Sequence, residues 1–377
     1  MEISSFKSGT FISQYNYKSF QPSFINQEYT WSDSQLNVLL EKATLKLGEL
    51  NTFSQLIPDI DLFIKMHIFK EATVSSRIEG TKTEIEEALL NETDVLPENR
   101  NDWTEVRNYV SAMNFAIKEL ESLPLSGRLL KNTHEILLEG VRGQSKLPGQ
   151  FRSSQNWIGG ATLKDAVFIP PIHIDIPDLM SDLEKFINNE EINVPNLIRI
   201  AIAHYQFETI HPFLDGNGRL GRLMITLYLV SNKILTRPIL YLSDFFEKHK
   251  SYYYDNLMGV RTKNDLMQWI RFFLVAVEET CSKGIETLHK IMQLKKISEE
   301  KIILNFGRKI PNANRLLKLL FSDPIITSTN VSKSLSLSPK SALILIDDFV
   351  KQQILFETTG FKRNRIFVFS DYLNLFK

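Results

Sequence analysis

Residues 195–232 constrain the fold more than any other stretch. From Pro195 to Phe207 the side chains are apolar on nearly every face, with Leu197, Ile198, Ile200, Ala201, Ile202 and Ala203 in near succession. A helix of that kind offers no face to water and has to be buried. After a short loop, Arg219 to Asn232 reads as a second apolar helix. The chain is therefore expected to be mainly α, built around a buried central helix.

The flanking sequence supplies further helices. Ser32-Asp33-Ser34 is a cap for a helix carrying Leu36, Leu39, Leu40 and Ala43. Thr83-Glu84-Ile85-Glu86 reads as a capping box. Helical patterns continue over 103–122, 126–141 and 174–189. Between the last two, Gly149–Pro171 holds Gly159-Gly160, several β-formers and a closing Pro170-Pro171, the pattern of a β-hairpin flap. Residues 1–30 are polar and aromatic without a clear period and read as an extended surface arm. Residues 311–377 read as three helices and a β-hairpin, a winged-helix pattern with nine Lys and Arg against five Asp and Glu. The divisions expected are 1–95 as arm and N-terminal helices, 96–280 as core, 281–310 as a linker helix, and 311–377 as a small winged-helix domain.

Composition narrows the function classes. Lys plus Arg and Asp plus Glu are equal at 44 each, so the chain has no global attraction for nucleic acid or anionic membrane. The single cysteine, Cys281, excludes an internal disulfide and reads as a buried small hydrophobe. Neither a signal peptide nor a run of about 18 apolar residues stands out, and the expected location is cytoplasmic.

The chemistry concentrates in the loop His211-Pro212-Phe213-Leu214-Asp215-Gly216-Asn217-Gly218-Arg219-Leu220-Gly221-Arg222. Glycines on both sides of Asn217 permit positive φ, which lets successive N–H groups converge on an anion. The helix that follows adds its free N–H groups and dipole. Arg219 and Arg222, three apart, can face one anion. Asp215 is a hard ligand suited to Mg²⁺, and His211 can take a proton near neutral pH. A hairpin reading of Asp-Gly and Asn-Gly conflicts with the helical flanks. The G-x-G-x-x-G match lacks the preceding strand of a dinucleotide site. An EF-hand would need Glu where Thr226 stands.

These twelve residues resemble the Fic motif H-P-F-x-[D/E]-G-N-G-R-x-x-R and fill all nine of its specified positions. The resemblance implies a Fic helical core and a protein adenylyltransferase, which moves AMP from Mg·ATP to a Tyr, Thr or Ser hydroxyl of a protein. In that family His211 would deprotonate the hydroxyl, Asp215 would bind Mg²⁺, and Gly216, Asn217 and Gly218 would cradle phosphates. Arg219 and Arg222 would hold the distal phosphates, with Phe213 anchoring the loop. Ile158, Gly159, Phe168 and Ile169 resemble the family's target-docking flap. Tyr253 and Tyr254, within Tyr252-Tyr253-Tyr254, resemble the tyrosines beside the base, with an aromatic core cluster as the competing reading. Ser75-x-x-x-Glu79-Gly80 resembles the inhibitory motif, in which Glu79 would occupy Arg222, against the reading of a solvated helix-end Glu. Residues 311–377 resemble an appendage of bacterial Fic proteins, which leaves a DNA-binding regulator as the alternative. Transfer of UMP, phosphocholine or phosphate is another, and removal of AMP by Glu79 stays open. A homodimer and self-modification are the further expectations.

Overall fold

The computed structural model describes residues 1–361 and 365–377. The chain opens with an antiparallel hairpin, β1 (Gly9–Ser13) and β2 (Lys18–Pro22), in which Gly9 faces Pro22. Helices α1 (Ser34–Leu56), α2 (Ile60–Ile78) and the single turn α3 (Ile85–Ala88) follow. Next come α4 (Arg100–Glu119), α5 (Gly127–Leu137), α6 (Ile176–Asn188), α7 (Asn196–Ile210) and α8 (Asn217–Ser231). Helices α9 (Ser243–Lys248), α10 (Lys250–Lys263) and the 40-residue α11 (Leu266–Asn305) complete the body. The C-terminal segment holds α12 (Ile310–Ser322), β3 (Ile325–Thr327), α13 (Ser328–Leu335), α14 (Pro339–Lys351), β4 (Phe356–Glu357), β5 (Ile366–Val368) and α15 (Ser370–Leu373). The protein is mainly α, and no helix among the described residues is long and apolar enough to cross a membrane.

Helix α7 is buried from Leu197 to Ile210, as its all-round apolar sequence demands. Helix α8 packs beside it, with α6 and α11 covering α7 and α4 and α5 covering α8. Several polar side chains of α7 are bonded, as burial favours, while Tyr205 Oη and Glu208 Oε1 are buried without a partner. His204 Nδ1 meets Gly221 O at 3.0 Å, Gln206 donates to Ser23 O at 2.9 Å, and Thr209 Oγ1 accepts from Arg261 Nε at 3.1 Å. Trp269 of α11 donates to Ala201 O at 2.8 Å. Asp33 caps α1 by accepting from Leu36 N at 2.6 Å, a contact worth about 1 kcal/mol. Cys281 is fully buried, and burial pushes its thiol up to about 12.

Several local expectations change. The N-terminal arm is a hairpin with a buried face, because Phe6 and Phe20 sink into the body while Phe11 and Ile12 stay exposed. The capping box does not form. Helix α3 begins at Ile85, one residue later than the box needs, Thr83 is buried without a side-chain partner, and Glu84 pairs with Arg77 at 2.7 Å. A boundary at 280 falls inside the unbroken α11. In the C-terminal segment β3 joins the expected hairpin to give a three-stranded antiparallel sheet in the order β3-β5-β4. Two of the basic residues of this segment, Lys362 and Arg363, lie outside the described residues.

Candidate active site

Helix α7 ends at His211, which takes a left-handed conformation with φ of 50° and so turns the chain sharply into the loop. Phe213 is buried, stacked on the His134 ring at 3.8 Å and packed near Phe151 at 5.4 Å. Asn217 clamps the loop from within: its Oδ1 accepts from Phe213 N and its Nδ2 donates to Phe213 O, both at 2.8 Å. The Asn217 amide is thus engaged by the loop itself, which leaves backbone N–H groups at the start of α8 for an anion. Gly216 has φ of 74°, but Gly218 is helical, so only one of the two flanking glycines uses left-handed freedom. Gly218 leaves room for the Glu79 carboxylate. A Cβ there would lie 2.3 Å from Glu79 Oε1.

The carboxylate of Glu79 therefore rests on the N-terminal turn of α8, where a phosphate would bind. Arg222 Nη2 donates to Glu79 Oε1 at 2.7 Å. The same guanidinium donates through Nε to Ser75 Oγ at 2.9 Å and through Nη2 to Ser75 O at 2.8 Å. Burial alone would raise the Glu79 carboxyl, yet Arg222, with Arg219 and His211 adding, holds it below the usual carboxylate range. Burial likewise weakens the charge of Arg222, and Glu79 outweighs it, so the guanidinium holds its proton more tightly than usual. Gly80 ends α2 with φ of 106°, a conformation other residues rarely adopt. Ser75, Glu79 and Gly80 are thus brought to the loop together.

The two arginines have different partners. Arg219 is buried against Glu105 of α4 at 3.0 Å and reaches Asp215 Oδ1 at 3.4 Å. Asp215 stays partly exposed, and its Oδ1 also accepts from Gly216 N at 2.6 Å. Among the described residues no group of three or more His, Cys, Asp or Glu is placed to hold a metal ion. A metal here would rest on Asp215 and on oxygens brought by a substrate, a donor set that suits Mg²⁺. His211 has a buried Nδ1 without a partner, while burial, with Arg261 and Arg152 adding, lowers its pKa to about 3. The ring is neutral at neutral pH and able to accept a proton.

Residues beyond the motif build the site, and the sequence reading missed them. Arg152 Nε donates to His211 O at 3.0 Å and its Nη2 to Pro171 O at 2.6 Å. Asn156 Nδ2 donates to His211 O at 3.2 Å and to Phe213 O at 2.9 Å. His134 accepts from Gly149 N at Nδ1 (3.0 Å) and bonds Asp215 O through Nε2 (2.9 Å), a pairing that fixes the neutral tautomer protonated at Nε2. At Arg152 the one signal in the sequence is an arginine with no Asp or Glu close by along the chain.

The flap is smaller than expected. A single antiparallel bridge joins Ile158 to Phe168, with Ile158 N to Phe168 O at 2.9 Å. Gly159 and Gly160, at φ of 69° and 76°, turn the chain, and Asp165 caps the turn at Ala161 N. On the other side Phe20 N of β2 donates to Ile169 O at 2.9 Å. By the alternation of an antiparallel bridge, the backbone groups of Trp157, next to Ile158, face the side away from Phe168. Of the tyrosines, Tyr253 is a correction. It is buried, bonded to His204 Nε2 at 2.9 Å and stacked on Phe246 at 4.5 Å, so it belongs to the aromatic core. Tyr254 is 38% exposed, and its phenol feels the charges of Glu79 and Arg222.

The chain matches the family models described as Fic/DOC family N-terminal, over residues 37–118, and Fic/DOC family, over residues 124–229. A protein adenylyltransferase Fic from Culex quinquefasciatus is 35% identical over 137 residues, which cover 35% of this chain and 24% of that protein. One of the same description from Drosophila ananassae is 30% identical over 176 residues, covering 45% and 29%. The matched region spans about a quarter of the length of these curated relatives. A solved Fic family protein from Desulfovibrio desulfuricans G20 shares the fold, with a TM-score of 0.58 at 21% identity over 91% of this chain and 98% of that one. A Fic domain containing signaling protein from Bacteroides thetaiotaomicron aligns with a TM-score of 0.53 at 19% identity over 66% and 96%. On the matches that run from residue 37 to residue 229, the chain belongs to the Fic/DOC family.

Proposed function

We propose that this protein transfers AMP from ATP, in the presence of Mg²⁺, to a hydroxyl side chain of a protein, and that Glu79 restrains the reaction. The observation that carries the reading is the carboxylate of Glu79 on the anion-binding turn at Gly218, paired with Arg222. A protein-borne anion occupying that place supports a site built for phosphate. The curated relatives are described as protein adenylyltransferases, which supports AMP as the transferred group.

With Glu79 swung away, Arg222 is free to hold the γ-phosphate while the N–H groups of α8 hold the phosphates nearer the sugar. Mg²⁺ on Asp215 would neutralise phosphate charge. Arg219, fixed by Glu105, orients Asp215. His211 takes the proton of the incoming hydroxyl, whose oxygen bonds to the α-phosphorus as the bond to the bridging oxygen breaks and pyrophosphate leaves. The edge at Trp157 would pair with an extended target segment.

The test uses ATP labelled at the α-phosphate with wild type, Glu79→Gly and Glu79→Gly/His211→Ala. A charge-assisted hydrogen bond contributes about 1.5–3 kcal/mol, so release of the brake is expected to raise labelling of protein about 10- to 100-fold. Loss of the base is expected to lower it about 10²–10⁴-fold with ATP binding retained. Equal labelling by wild type and Glu79→Gly would remove the brake, and no label in any variant that binds ATP would remove AMP transfer.

A further inference from the structure

Helix α2 presents Glu79 to the loop at one end and is gripped at the other by the C-terminal segment. Phe63 is buried against Phe321 and Tyr372, at ring separations of 5.3 and 6.5 Å. His67 meets Phe376 edge-on at 5.0 Å. Lys65 pairs with Asp323, and Lys318 with Asp59 at 2.9 Å.

Between α2, α4 and Asp323 lies a groove of about 660 Å³. Its lining mixes apolar side chains, among them Ile64, Ile68, Leu89 and Val110, with the polar side chains of Asn91, Ser111 and Asn114. One wall carries Arg107, whose guanidinium lies over the rings of Phe69 at 5.2 Å and Trp103 at 5.4 Å. Arg107 is half-buried, which weakens its charge, with Asp323 acting against that, and among the described residues it takes part in no ion pair. The indole Nε1 of Trp103 is buried and also without an acceptor. Three carboxylates line the same groove. Asp323 is neutralised by Lys65 and Asp61 by Arg237 at 3.2 Å, which leaves Glu92.

The volume falls within the range of about 300–1,000 Å³ usual for small-molecule sites. A guanidinium stacked between aromatic faces keeps its edge donors free, and that edge matches a carboxylate, sulfonate or phosphate group. The mixed lining suits a body that is part apolar and part polar behind the anionic group. We propose that this groove binds a small organic anion anchored by Arg107, and that the bound anion shifts α2 and with it Glu79. The second half rests on the reading of Glu79 as a brake. A 19-residue helix is a rod of about 28 Å, so a ligand touching α2, α4 and the C-terminal segment at once selects among positions of the whole rod. It does so only to the extent that it fits one position better than another.

The probe is 8-anilinonaphthalene-1-sulfonate, titrated into the full chain without nucleotide and followed by fluorescence. Saturable binding at one site is expected, weakened about ten-fold or more by Arg107→Ala and largely kept by Arg107→Lys. Indole-3-acetate should displace the probe and the uncharged indole-3-acetamide should not. Equal binding by wild type and Arg107→Ala, at matched melting temperatures, would overturn the site, as would equal displacement by the two indoles. Amide hydrogen exchange of residues 75–80 with and without the probe reads the coupling, and unchanged exchange would overturn it. None of these measurements uses ATP or a target, so they stand or fall independently of AMP transfer.

Discussion

Glu208 shows how a single buried carboxyl couples the site to pH. It lies against Gly221, where a Cβ would come within 2.4 Å of its Oε1, and that oxygen has no partner. Burial, with Glu79 adding against Arg222 and Arg261, pushes its pKa up to about 7 from 4.5. The folded chain therefore keeps a proton between pH 4.5 and 7 that the unfolded chain releases. The associated stability is fully present below pH 4.5 and lost as pH rises through 7, a change of about 3 kcal/mol. Buried His204 and His134, lowered to about 3 and 4 chiefly by burial, act in the opposite sense, losing stability as pH falls below 6.5. The informative quantity is thus the difference between wild type and Glu208→Gln at each pH. Urea midpoints should show the variant gaining on wild type from pH 5 to pH 8, and an equal difference at both values would show that Glu208 does not titrate there.

At the scale of elements, the helices were legible because burial and period coincide. The all-round apolar pattern of 197–203 placed α7 at the centre, and Asp33 capped α1 as its position suggests. The active loop was legible because its residue types allow few other uses. What escaped was set by distant partners. Glu105 meets Arg219 across 114 residues and Asn156 meets Phe213 across 57, and no local spacing announces either. Tyr253 was misplaced because an aromatic run says nothing about which ring faces inward. The end of α2 illustrates the link from element to activity. Its Gly80 stands at φ of 106°, with nothing near the position of a Cβ, so backbone strain alone opposes a side chain there. Gly80→Ala is expected to cost about 1–2 kcal/mol and to unsettle Glu79. Thermal melting would show the first effect, and labelling above the wild-type level the second; a fall in stability without a rise in labelling would separate the turn from the brake.

Across the whole molecule, the described apolar side chains form one continuous core that runs from Ile3 to Phe376. The C-terminal segment shares that core with α2 through Phe63, Phe321 and Tyr372. Unfolding is therefore expected to be a single transition. Tryptophan fluorescence reports the body, since the four tryptophans lie at 31, 103, 157 and 269. A probe attached within 311–377 reports the other end. Coincident midpoints in urea are the expected result, and separate midpoints would show that the segment is held only loosely.

The pairing of Glu79 with Arg222 has a consequence in terms of concentration. An anion carried on the same chain cannot be diluted away. Its effective concentration at the N-terminal turn of α8 is set by α2, and for short connections such values reach about the millimolar range. Nucleotide would have to compete with that tethered carboxylate. The fraction of molecules released would then follow the supply of ATP and be indifferent to how much of the protein is present.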